Sequence, residues 1–296
     1  MPGDKYECEL RIGKWRIKKE NMKMKLRFTL AVVVVVLLVQ IAAGQQRLMV
    51  VGGGTRPPEA TKKFVEWSGG TKSKILVITW ATAEEDSSFE GTKKVFEAAN
   101  PGSVEHAVIK PLDAEKRAKF IDQLKNATGV YFGGGDQNRI MDVLKDAELL
   151  KMIRAKYAAG TPFGGTSAGA AVMSDPMMTG EADLKILDGT KVGVRPALGL
   201  IPEVMFDQHF LIRQRHNRLF GFVIVNPRFL GVGINEGMAV MIENNRNLEV
   251  VGPTQVMFID GKDHKGSMFV DFLKAGEWYD LRKRKRIERS KTRGGK

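Results

Sequence analysis

The 296-residue chain predicts an α/β domain, a mostly parallel sheet with helices on both faces. Two observations carry that expectation. Short apolar runs alternate with amphipathic stretches along most of the chain, which is the pattern of βαβ units. The runs, KILVITWAT from Lys74 for example, are rich in β-branched residues and show no polar alternation, as strands covered on both faces should. Composition agrees, since 43% apolar and 27% charged residues are ordinary for a globular chain long enough to bury a sizeable core.

The elements follow in order. RLMVVGGG, from Arg47, reads as a strand ending in a glycine turn, and PPEATKKFVEW as a helix opened by proline. After the strand KILVITWAT come a helix near FEGTKKVFEAAN, a strand SVEHAVI, a helix DAEKRAKFIDQL and a strand GVYFGGG. One long helix is expected from about Asn138 to Ala158. The short strand TPFGGT then delivers Ser167. From FLGVGINEGMAVMI through NLEVVGPTQVMFID the pattern is of several short strands, antiparallel and at one edge. No internal repeat and no linker divides this core.

The two ends differ from the core. The formal net charge is +13, but residues 1–44 carry +5 and residues 282–296 carry +8, so the remainder is neutral. In residues 1–44, KMKLR precedes the uncharged run FTLAVVVVVLLVQIAAG, which reads as a secretory signal peptide, with a retained membrane anchor as the competitor. Lys and Arg ahead of the run keep that end inside and place residues 45–281 outside the cytoplasm. Met22 or Met24 would be a more natural start. The one cysteine, Cys8, lies in this leader, so no thiol chemistry, disulfide or cysteine metal site is expected of the domain. The tail RKRKRIERSKTRGGK has no apolar periodicity and is expected to be disordered.

Gly165-Thr166-Ser167-Ala168-Gly169 fits Gly-x-Ser-x-Gly between a strand and a helix. That is the nucleophile elbow, a sharp turn that lifts a hydroxyl above the sheet and needs small neighbours. The backbone N–H of Ala168 can stabilise an oxyanion there, and the turn after GVYFGGG offers Gly134 and Gly135 for the second donor, with Gln137 as a polar contact. On its own the pattern also suits an ordinary strand-to-helix turn. A serine needs a base, and of four histidines His106 and His264 read as satisfied or solvated. His209 and His216 fall in FDQHFLIRQRHNRLF, where Asp207, Gln208, Arg213, Arg215 and Arg218 crowd together. Arginine forks of this kind grip carboxylates, although a solvated basic helix would look similar. VVGGG (Val50–Gly54) lacks the spacing of a dinucleotide fingerprint and a Walker lysine, and no His-x-x-x-His pair is present, so no cofactor or metal is expected.

Together YFGGGDQNR, GGTSAGAAVMSDPM, DQHFLIRQRHNRL and GVGINEG resemble cyanophycinase, a serine peptidase family that also contains the aspartyl dipeptidases. The resemblance spans about residues 47–260. It implies a flavodoxin-like or class I glutamine-amidotransferase-like fold, with Ser167 as nucleophile and His209 as general base; Gly135 and Ala168, read from the two turns, are the oxyanion donors expected beside them. It also implies that Gln137, Asp207, Gln208, Arg213, Arg215 and Arg218 line the substrate pocket, Asp207 being suited to a substrate guanidinium. By the same resemblance the triad acid lies between serine and histidine, so Glu181, or else Asp183, is expected to fill it. Asn235 stands where an acid is expected, while Glu236 beside it is kept. The implied activity is exported hydrolysis of cyanophycin, a polyaspartate bearing arginine on each β-carboxyl, to β-Asp-Arg dipeptides through an acyl-enzyme. A dipeptidase for other β-linked peptides and a non-catalytic binding relative are the alternatives. The expected partners are the polymer, an anionic or membrane surface for the leader or tail, and a second copy in a homodimer, but not nucleic acid.

Overall fold

The computed structural model describes residues 44–180, 182–183, 185–263 and 267–288. The leader lies outside the described residues. The strand β1 (Arg47–Val51) is followed by α1 (Pro58–Trp67), β2 (Lys74–Ile78), α2 (Glu85–Glu97), β3 (Ser103–His106), α3 (Ala114–Asn126) and β4 (Gly129–Phe132). Next come α4 (Gln137–Val143), α5 (Ala147–Ala158), β5 (Phe163–Thr166), the four-residue α6 (Ala168–Ala171) and the short strands β6 (Met177–Met178) and β7 (Val194–Arg195). The chain continues through β8 (Val204–Gln208), α7 (His216–Val225), β9 (Leu230–Ile234), β10 (Ala239–Glu243), β11 (Asn247–Val251) and β12 (Gln255–Asp260). It closes with β13 (Phe269–Lys274), β14 (Trp278–Asp280) and β15 (Lys285–Ile287).

Nine strands form one sheet in the order β15-β14-β11-β10-β1-β5-β4-β2-β3. The half running from β1 to β3 is parallel, as the βαβ pattern predicts, and β10, β11, β14 and β15 extend it antiparallel. A four-stranded sheet, β13-β12-β9-β8, carries the parallel pair β8–β9. Alternate residues of β1 and β2 feed two cores. Leu48, Val50, Leu76 and Ile78 pack with Phe120, Leu149 and Ile153, whereas Met49, Val51, Ile75 and Val77 pack with Phe64, Phe89 and Phe96. Helices therefore cover both faces, which explains why these strands carry no polar alternation. Among the described residues no helix is long and apolar enough to cross a membrane.

Two local expectations differ from what is seen. The long helix is two, because Asp146 accepts hydrogen bonds from the N–H groups of Glu148 and Leu149 and so caps a fresh helix at Ala147. The basic tail also begins as a strand. Arg284 pairs with Asp260 at 2.6 Å and Arg286 with Asp271 at 2.9 Å, while Arg246 holds Asp280 at 2.8 Å. The first two pairs tie the β15 segment to β12 and β13 of the four-stranded sheet, the third fastens the neighbouring β14, and hydrophobic periodicity is blind to all of them.

The Arg284 and Asp260 side chains are 9% and 10% exposed. Removing Arg284 leaves the nearly buried Asp260 charge without this partner, which costs on the order of 3 kcal/mol. Arg284→Ala is expected to lower unfolding stability by about that amount, and Lys285→Ala by no more than about 0.5 kcal/mol. Equal, small effects in urea denaturation would mean that this segment is not fastened.

Candidate active site

Ser167 sits between β5 and α6 with φ 55° and ψ −114°, a conformation that few residues other than glycine adopt. Its neighbours must be small for a concrete reason. A Cβ on Gly165 would lie 2.3 Å from the carbonyl oxygen of Gly169, and one on Gly169 would lie 2.2 Å from that of Phe132. The turn is the strained elbow expected, and β5 brings it to the middle of the large sheet between β1 and β4.

His209 follows β8, the edge strand of the other sheet, and also has a positive φ of 51°. Its Nε2 lies 2.8 Å from Ser167 Oγ, and its Nδ1 lies 2.5 Å from Oε1 of Glu236. Hydroxyl, imidazole and carboxylate thus form one connected relay. Glu236 arrives by strand pairing: β8 and β9 run parallel, with Gln208 opposite Ile234, so the turns after both strands open at the same end of that sheet. Among the described residues the carboxylate at His209 is therefore Glu236, which follows the histidine in sequence. Glu181 lies outside the described residues. Asp183 accepts from the backbone N–H of Lys185 and closes its own turn. Asn235 accepts a hydrogen bond at 3.4 Å from the N–H of Ile212 and braces the loop after His209.

One turn collects all three groups. The carbonyl of Val51 accepts from Ser167 N at 3.1 Å, that of Gly52 from His209 N at 2.7 Å, and that of Gly53 from Gly237 N at 3.0 Å. Across the site, Gly134 faces Ser167, since a Cβ there would lie 3.3 Å from Ser167 Cβ. Gly169 N donates to Gly133 O at 3.1 Å and Asp136 N to Ala81 O at 2.8 Å, which fixes the loop carrying Gly134 and Gly135 against Ala168.

Burial holds the His209 pKa below its ordinary 6.5, and the nearby Arg213 and Arg215 push the same way, while Glu236 opposes them. The imidazole is neutral near pH 7 and can accept a proton. Burial, with Arg218 and Arg213 close by, lowers the Arg215 pKa to about 10.

The expected pocket residues divide into two sets. Arg213 is exposed beside His209, and the Arg215 side chain is partly exposed, its Nη1 donating to Gln208 O at 2.8 Å. Asp207 and Arg218 are almost wholly buried, and both carboxylate oxygens of Asp207 accept from Arg218. Asp207 therefore does not face a ligand guanidinium in this structure, because its charge is already matched from within. Arg218 also donates to Gly180 O. Gln137 is buried and donates to Met178 O at 2.8 Å, tying α4 to the β6–β7 hairpin, and Gln208 is buried in β8. Of the other histidines, His106 pairs with Thr79 Oγ1 at 2.8 Å and stacks on Phe89, His216 packs edge-on to Phe210, and His264 lies outside the described residues. Among the described residues no group of three or more His, Cys, Asp or Glu side chains is placed to hold a metal ion.

The pattern of peptidase family S51 matches residues 48–250. The cyanophycinase of Trichormus variabilis is 33% identical over 203 residues, covering 68% of each chain, and that of Geminocystis herdmanii is 32% identical over 210 residues, covering 69% of this chain and 75% of its own. Peptidase E of Actinobacillus pleuropneumoniae is 29% identical over 175 residues, 56% of this chain and 72% of its own. In fold, the chain is similar to a peptidase from an acI-B1 Actinobacterium, with a TM-score of 0.60 at 23% identity, covering 80% of this chain and 97% of that one.

Because each member of the Asp207–Arg218 pair shields the other, Asp207→Asn or Arg218→Leu is expected to cost about 3–5 kcal/mol, and the joint change to two leucines clearly less than the sum. Guanidinium unfolding measures this. Single variants as stable as the parent would return both side chains to the set that serves only a ligand.

Proposed function

We propose, for a chain that belongs to peptidase family S51 and is a serine peptidase, that Ser167, His209 and Glu236 hydrolyse aspartyl peptides of the cyanophycin type. The observation that carries this is His209 bridging Ser167 Oγ and Glu236 Oε1. Ser167 Oγ attacks the backbone carbonyl of an aspartyl residue while His209 Nε2 takes its proton. Glu236 keeps the other ring proton on Nδ1, which orients the ring and offsets its charge once it is protonated. The N–H groups of Gly135 and Ala168 receive the developing oxyanion. His209 then passes the proton to the leaving amine, and the acyl-enzyme on Ser167 is cleaved by a water that His209 deprotonates.

Arg213 and Arg215 beside the base favour a substrate carrying carboxylates. Cyanophycin supplies them, and two of the similar proteins named above are cyanophycinases. Shorter isoaspartyl or aspartyl peptides offer the same group, and the likeness to a peptidase E keeps them as the second reading. An assembled relay argues against a relative that only binds. The basic and apolar leader supports export of the domain.

Incubation of the purified protein with cyanophycin and, separately, with isoaspartyl and aspartyl dipeptides, followed by mass spectrometry, distinguishes the substrates. Release of β-Asp-Arg from the polymer is the expected outcome. Ser167→Ala is expected to lose at least about 1,000-fold in kcat, and Glu236→Gln roughly 100- to 10,000-fold, with folding retained. Full activity in Ser167→Ala would end the mechanism.

The pH profile adds an independent test. Burial disfavours the charged ring, so His209 stays neutral to lower pH and the acid limb of kcat/KM is expected to have its midpoint below 6.5. Glu236 raises that pKa, so Glu236→Gln is expected to move the limb further toward acid. A shift toward alkaline pH would contradict the assignment.

A further inference from the structure

The structure assigns the glycine turn Gly52–Gly54 a positioning role in the relay, with Gly53 seating the imidazole of His209. This rests on reading Ser167, His209 and Glu236 as the hydrolytic machinery. The three glycines supply no side chain to the reaction, and the turn lacks the spacing of a nucleotide fingerprint.

Each glycine is answered by a different part of the base–acid pair. A Cβ on Gly52 would lie 2.1 Å from Asn235 O, in the turn that carries Glu236. On Gly54 it would lie 3.2 Å from Cβ and Oε2 of Glu236 itself. At Gly53, where φ is +112°, it would lie 2.2 Å from Cε1, 2.6 Å from Nε2 and 2.7 Å from Nδ1 of His209. All three distances are far below contact, so the ring fills the space that a side chain on Gly53 would need, with both of its functional nitrogens beside it.

The ring has no slack in the opposite sense. Nε2 is held at 2.8 Å to Ser167 and Nδ1 at 2.5 Å to Glu236, and a hydrogen bond stretched by an ångström is lost. A methyl group on Gly53 therefore has two outlets: the backbone turn opens, or the imidazole swings away. The second is cheaper, because the obstacle is the end of a side chain about a rotatable bond, whereas the turn is fixed by Val51 O, Gly52 O and Gly53 O. Substitution is expected to leave the fold standing and to break the relay.

The test compares Gly53→Ala with Gly69→Ala in the full chain. Gly69 has nearly the same positive φ, +114°, but a Cβ there would meet nothing closer than 3.7 Å, so it carries the backbone strain without the collision. Gly69→Ala is expected to keep parental kinetics. Gly53→Ala is expected to lose on the order of 100-fold in kcat with KM changed less than about threefold, and labelling of Ser167 by a fluorophosphonate should slow in parallel. The acid limb should rise toward 6.5 as the ring leaves its buried seat. Kinetics within about threefold of Gly69→Ala would overturn the assignment.

A melting cycle keeps the proposal testable if Gly53→Ala unfolds, and it needs no activity. In a His209→Ala background the ring is gone, so most of the loss in Tm caused by Gly53→Ala should vanish, leaving only the strain of a positive φ. An equal loss in both backgrounds would show that the methyl group does not meet the imidazole. Failure of the hydrolytic reading, seen as full activity in Ser167→Ala, would leave that cycle unchanged.

Discussion

Three consecutive carbonyls at the end of β1, those of Val51, Gly52 and Gly53, hold the backbone of Ser167, of His209 and of the residue after Glu236. Ser167 comes from the parallel half of the large sheet, and the other two groups come from turns of the smaller sheet. β1 and its turn touch all three. Its strand is paired on both sides, with β5 and with β10, and Gly52 N donates to Met238 O. A strand pinned along both edges and buried on both faces has few ways to shift, so the turn at its end is a fixed reference. The relay inherits its precision from that strand.

What was legible in the sequence follows from how local each requirement is. The elbow could be read because its small residues collide with one another or with the neighbouring strand: Gly165 with Gly169, and Gly169 with Phe132. His209 could be read because arginines and an aspartate crowd around it in one short segment. Glu236 was visible, but its role was not. That role depends on β8 pairing parallel with β9, and nothing in the residues near Glu236 states this register. The glycines after β1 were opaque for the same reason, since the ring that demands Gly53 lies more than 150 residues further on. In the basic tail, Arg284 and Arg286 repeat with the period of a strand, but their partners sit on β12 and β13. A run composed entirely of cations gives hydropathy no contrast by which to find that period.

The arginine cluster shows how much burial changes a motif. Read as letters, Arg213, Arg215 and Arg218 are three equal forks aimed at a substrate. In the fold, Arg218 is spent on Asp207, and both belong to the support beneath the site. Burial makes that pairing obligatory, because either charge alone in such a position would be very costly. The two remaining arginines act on the site from closer to its surface, and they act first on His209.

That action bears on when the base is strongest. Arg213, Arg215 and burial all disfavour an imidazolium, and Glu236 alone opposes them. A neutral ring in the empty site is ready to accept a proton but is a weak base, for the same reason that it is neutral. A ligand carboxylate settling against Arg213 and Arg215 would offset the cations that depress it, and would strengthen the base at the moment the scissile bond is in place. A substrate without that carboxylate would meet the same Ser167, the same ring and the same Glu236, yet face a poorer proton acceptor. On this electrostatic account, selection of the aspartyl peptides proposed as substrates would lie as much in the proton transfer as in the binding.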